Sequence, residues 1–118
     1  MIQETDLLEV TAIITPTVAT ILGPVPPNMS ALVYAETFAE DAASGVGTYT
    51  VKLMTQLGTS ITGTVQVVTL SPANPTLEKG FEVKPILRVP AGQALLGQSE
   101  TGTIAVTLIY VYKYGRVI

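Results

Sequence analysis

The sequence predicts an all-β fold: an antiparallel sandwich or barrel of about eight strands in one domain, residues 1–118. Three observations predict it. Val, Ile and Thr dominate the chain, and side chains branched at Cβ suit a pleated surface better than a helix. Ten glycines and eight prolines punctuate 118 residues at short intervals, which marks many short strands joined by turns. Several segments also alternate apolar and polar residues with a period of two. A domain of this length hides roughly 65% of the surface its unfolded chain exposes, enough for one core without staples.

The elements follow in order. Residues 1–10 form a candidate N-terminal arm, and a first strand runs from Asp6 to Thr15, ending before Pro16. Thr17 to Leu22 is a short second piece. "GPVPPNMS" holds three prolines, which remove ladder donors, so it reads as a rigid connection. Ser30 to Phe38 sets Leu32, Tyr34 and Glu36 on one face against Ala31, Val33 and Ala35. A helix over Leu32 to Ala43, where Ala and Glu are frequent, is the competing reading. "AEDAASGVG" is a loop tip.

Thr48 to Leu57 is the cleanest half-buried strand. Tyr49, Val51, Leu53 and Leu57 fall on one face, and Thr48, Thr50, Lys52 and Gln56 on the other. A short turn containing Gly58 leads to Ile61–Leu70, so the two form a hairpin. "SPANPTLEKG" reads as a loop. Phe81 to Val89 is a strand interrupted at Pro85, an edge or a bulged segment. Pro90-Ala91-Gly92 turns the chain. Pro90 stops the incoming ladder, and Gly92 permits a positive φ. The turn is a structural corner sending the chain from one sheet to the other. Ala94 to Gln98 is a short strand, "SETG" turns again, and Thr103 to Tyr114 is the longest strand.

Composition excludes much chemistry. There is no cysteine and no histidine, so thiolate sites, the usual zinc ligand and the usual general base are missing. No metal or organic cofactor is expected. Charged residues are 13% and hydrophobic residues 47%, against about 25% charged in ordinary soluble domains. Such a surface is built from Thr, Ser, Gln and Gly, or is partly covered by another subunit. The net charge is −3, with six scattered cations, so there is no basic patch for nucleic acid. "MIQETDLLEV" lacks the basic and apolar regions of a signal peptide. "TIAVTLIYVYKY" is shorter than the roughly 20 residues of a membrane helix, so no membrane is expected as partner.

The candidate sites each carry a plain alternative. Glu36, Glu40 and Asp41 could ligate Ca²⁺, but the surrounding Ala, Ser and Gly favour a solvated loop. Paired carboxylates could hydrolyse glycosides, yet nine acids in a small domain make accidental pairs common. The glycines of "SGVGTYT" and "GTSITGT" open no helix and precede no Gly-Lys-Ser/Thr signature, so they are no phosphate cradle. Tyr110, Tyr112 and Tyr114 share one strand face; they could stack on sugars, but an aromatic row packing in the core or against a subunit is favoured.

The last strand carries the strongest pattern. Ile104, Val106, Leu108, Tyr110 and Tyr112 lie on one side, and Ala105, Thr107, Ile109 and Val111 on the other. A sheet with one wet face should alternate. Both faces of this strand therefore need cover, one from the core and the second from another subunit or a loop of the same chain. The candidate oligomer interface is Ala105, Thr107, Ile109, Val111, Tyr110, Tyr112 and Tyr114.

"ILRVPAGQALLGQSETGTIAVTLIYVYKY" resembles the C-terminal half of small jelly-roll proteins of tailed phages and related virus particles. There a hydrophobic strand, a Pro-Ala-Gly turn, a short strand, a Gly-rich turn and a long final strand recur. "PVPPNMSALVYAETFAEDAASGVGTYTVKLM" is similar to the earlier part of the same scheme. The resemblance covers most of residues 24–114 and implies a jelly-roll-like antiparallel sandwich. It also implies a capsid decoration or cement role on the virion surface, often as a homotrimer bound to the major capsid protein. It transfers no catalytic residues. The expected function is thus a non-enzymatic virion structural protein made in the host cytoplasm. The alternative is a carbohydrate-binding or adhesin-type β-sandwich module.

Overall fold

The computed structural model describes residues 7–42, 47–80 and 84–114. Among the described residues nine strands are formed: β1 (Leu8–Ile14), β2 (Ala19–Leu22), β3 (Met29–Ala42), β4 (Tyr49–Leu57), β5 (Ser60–Leu70), β6 (Thr76–Lys79), β7 (Leu87–Val89), β8 (Gln93–Ser99) and β9 (Thr103–Tyr114). They build two antiparallel sheets. One has the order β1-β9-β3-β6, with β7 also on β3, and the other has the order β2-β8-β4-β5. The helix considered for 32–43 is not formed: β3 runs through Ala42.

The pairings nest. β4 pairs β5, β3 pairs β6 and β7, β2 pairs β8, and β1 pairs β9. This is one long antiparallel hairpin, closed around a single tight turn. It is then rolled so that β9 meets β3 and β8 meets β4. The product is a jelly roll, the double-sheet solution that leaves few free edges.

Turn chemistry fixes the folds of the hairpin. Gly58 has φ +62° between Leu57 and Ser60, the glycine-first pattern of a two-residue type II′ hairpin loop. In the proline-rich connection, Met29 N–H donates to Pro26 O at 3.2 Å, and Asn28 at the third position has φ 64°, as a type II turn requires. Pro90–Gln93 is a second such turn. Gln93 N–H donates to Pro90 O at 3.1 Å, and Gly92 has φ +77°. The two connections dock: Val25 N–H donates to Gln93 O at 2.9 Å, and Gly92 N–H to Val25 O at 2.8 Å. Pro90–Gly92 lies between β7 on one sheet and β8 on the other.

The core fills the space between the sheets. Ile104, Val106 and Leu108 of β9 and Val33 and Phe38 of β3 face Val51 and Leu53 of β4, Leu70 of β5 and Leu95 of β8. Strand β9 matches its expected span end to end.

Two expectations fail on the β3 edge. "SPANPTLEKG" is not all loop, because Thr76–Lys79 pairs Glu36–Ala39. The expected strand Phe81–Val89 is confined to Leu87–Val89 among the described residues; residues 81–83 lie outside them. Pro85 has no N–H to give, so the edge beside β3 is served by two short pieces. The β3 alternation also differs. The register with β9 skips Tyr34 between Val33 and Ala35, and this bulge turns the following residues over. Glu36 therefore shares the inward face with Ala31, Val33 and Phe38, and not a face with Leu32.

Candidate interaction surface

Reactive chemistry finds little to work with. Among the described residues no group of three or more acidic side chains is arranged to hold a metal ion. A recess of about 300 Å³ is lined by Pro16, Thr50, Lys52, Gln98, Ser99 and Glu100. Several of its polar groups are engaged with one another or with neighbouring backbone. Gln98 Nε2 donates to Pro16 O at 2.8 Å, and Thr50 N–H donates to Glu100 Oε1 at 3.2 Å. Glu100 N–H donates in turn to Thr50 O at 2.8 Å. These bonds lash the β1–β2 connection to β8 and the β8–β9 connection to β4.

Of the candidate acids, the Asp41 side chain lies outside those described, and Glu36 and Glu40 are separated by environment. Glu36 is buried between the sheets, so it is not part of a solvated loop. Glu40 accepts a hydrogen bond from the Tyr49 hydroxyl at 2.9 Å. Burial, then the hydrogen bond to Glu40 and its nearby charge, push the Tyr49 phenol up to about 12.

The candidate interface residues of β9 divide by face. Tyr110 points inward and is 8% exposed. Its ring meets that of Tyr112 edge-on, with centroids 5.5 Å apart and an interplanar angle of 82°. Burial, followed by the neighbouring Tyr112, raises the Tyr110 phenol above its ordinary range. Tyr112 is partly buried against the core. Tyr114 is the open ring of the three, 73% exposed. The row is no flat platform for a sugar.

On the outward face, Ala105 sits between Ile13 of β1 and Ala39 of β3, Thr107 between Thr11 and Thr37, and Ile109 between Glu9 and Ala35. Thr11 and Thr107 join hydroxyls at 3.1 Å. Ala105, Thr107 and Ile109 are half-buried, as central-strand residues are when both neighbouring strands carry side chains. Val111, opposite Leu32, is only 6% exposed. At that position the chain itself supplies the cover.

A second apolar surface escaped the sequence reading. Leu57, Ile61, Val65 and Val67 on the β4–β5 hairpin are large, apolar and exposed. The available signal was an uncharged run from Leu53 to Leu77. Period-two alternation obscured it, because Ile61, Val65 and Val67 alternate with Thr62, Thr64 and Gln66 as core-facing residues would; the register with β4 also skips Val65 and Thr62. Beside it, Met54, Ala94 and Leu96 form a small apolar cluster on the outward side of this sheet.

No family model matches this chain, and no curated protein matches it. Six chains of solved structures do match. One belongs to the acid-stable capsid structure of Helicobacter pylori bacteriophage KHP30, with a TM-score of 0.55 and 8% identity, covering 89% of this chain and 86% of that one. The likeness is one of fold. It spans nearly the whole of both chains, so the rolled hairpin is shared and not merely one sheet.

Proposed function

We propose that this chain is a structural protein of a phage particle, a jelly-roll subunit on the capsid surface that decorates or cements the shell. The observation that carries the reading is the nearly full-length match of the rolled nine-strand sandwich to a chain of a phage capsid structure. The composition supports it. A chain without His or Cys and with 13% charged residues is suited to contact and not to turnover. On this reading the chain is no enzyme and needs no cofactor.

Its partners are the major capsid protein and further copies of itself, most simply as a trimer. It is made in the host cytoplasm and ends on the virion. The outward face of β9 with Ile13 provides one mixed apolar surface, and the β4–β5 hairpin provides another. Two such patches on one subunit suit a cementing role. Each contact need only be modest, because an oligomer spanning several capsid subunits multiplies the affinities.

The test is co-expression with the major capsid protein of the same genome, followed by sedimentation of assembled shells. The chain should travel with the shells in fixed stoichiometry. A chain that stays at the top of the gradient, with intact shells below, overturns the assignment.

A further inference from the structure

Gln66 of β5 reaches across the sandwich to Glu36 of β3. Its Nε2 donates to Glu36 Oε1 at 2.6 Å. Glu36 is 1% exposed, one of the most deeply buried side chains of the core. Two buried oxygens beside this bond have no partner: Glu36 Oε2 and Gln66 Oε1. With an ionised carboxylate both are acceptors, and neither can satisfy the other. A buried unsatisfied acceptor is costly, and a buried charge more so. One proton removes the charge and supplies the missing donor. We infer that Glu36 is held as the neutral acid in the folded protein, its Oε2–H donating to Gln66 Oε1 while Gln66 Nε2–H donates to Glu36 Oε1. The two bonds close an acid–amide ring, a proton-dependent clasp between the two sheets.

The surroundings favour the neutral form. On β6, Lys79 stands opposite Glu36 in the ladder, but its side chain is exposed; Glu78 stands opposite Thr37. On β9 the opposite residue is Leu108. β5 carries no ionisable side chain, and Leu53 of β4 stands opposite Gln66. Further along β3, Glu40 accepts the Tyr49 hydroxyl. Burial pushes the Glu36 carboxyl above its ordinary 4.5, outweighing the opposing pull of the Gln66 bond and of Lys79.

The direction of the pH effect follows. The folded state holds this proton more tightly than the unfolded chain. The clasp's contribution is therefore complete below about pH 4.5 and is lost as pH rises through the higher folded-state value. The sandwich is clasped in acid and loosened towards alkali, opposite to a surface carboxylate in an ion pair.

The Glu36→Gln variant is the direct test. Its amide reproduces both bonds at every pH. It should fold, and it should melt level with the wild type at pH 4. At pH 8 it should melt higher than the wild type, by roughly 4 °C or more for each tenfold tightening of the proton. Independently, the ¹³C resonance of the Glu36 side-chain carboxyl in the wild type should remain that of the protonated acid well above pH 4.5. A Glu36 carboxyl that titrates at or below 4.5 overturns the inference, whether or not the variant folds. So does a variant that melts below the wild type at pH 8.

Discussion

Gly97 of β8 lies against Ile14 of β1 across the sandwich: a β-carbon at Gly97 would stand 2.6 Å from Ile14 Cδ1 and 2.9 Å from Ile21 Cδ1. The glycine is kept for close approach of the sheets, not for an unusual φ. Gly97→Ala should destabilise the fold by roughly 1–3 kcal/mol through overpacking, and Gly97→Val by more. The cost falls on side-chain ends, so Gly97→Ala combined with Ile14→Val should recover part of the loss. Chemical denaturation of the single and double variants checks this.

Gly92 is constrained differently. It has room, with Leu57 Cδ1 at 3.8 Å from a built β-carbon, but its φ of +77° strains any other residue. Gly92→Val should lower stability by roughly 1–2 kcal/mol. The effect belongs to folding, because the turn holds Val25 through two backbone bonds. A variant that unfolds at the wild-type denaturant midpoint but no longer binds its partner would refute the structural reading of this corner.

The outward face of β9 can be probed at two sites with opposite outcomes. Val111 is covered by the protomer itself, so Val111→Lys buries an unpaired ammonium and should yield insoluble or unfolded protein. Ile13, beside Ala105, is 50% exposed. Ile13→Asp should keep the fold, with stability within about 1 kcal/mol of the wild type. If this face joins copies of the chain, light scattering will give a monomer mass for Ile13→Asp and a multiple of it for the wild type. An unchanged oligomer removes this face from the interface.

Tyr49 supplies an alkaline counterpart to Glu36. Its hydroxyl donates to Glu40 Oε2 at 2.9 Å, and burial raises the phenol to about 12. The folded state again holds the proton more tightly than the unfolded chain. Its contribution is complete below the ordinary value of 10 and is lost as pH rises towards 12. Tyr110 is raised as well, and ultraviolet titration should show the Tyr49 phenol ionising about two pH units late. Tyr49→Phe should remove that late component.

Much of the fold was legible because local patterns carried it. The span of β9, the β4–β5 hairpin at Gly58, the proline-rich connection and the alternation of Tyr49, Val51 and Leu53 all rest on neighbours within a few residues. Gly58 and Gly92 take the positive φ that their turns require. β6 was not legible. Four residues bearing Glu78 and Lys79 look like loop until β3 offers them a ladder. The composition and turn pattern pointed to the class of fold, but no motif announced a site.

By itself the sequence determined that the chain is all-β, where most strands begin and end, and that the usual groups for acid–base and metal chemistry are missing. Only the tertiary structure decided which way the side chains face. One skipped residue, Tyr34, carries Glu36 from the outward side into the core. On β5 the skipped Val65 is exposed, and Val67 beyond it is exposed opposite Lys52. The physical reason is the two-residue period of a strand. A single bulge inverts every residue beyond it, and the bulge is set by the partner strand, hydrogen-bonded from far along the chain.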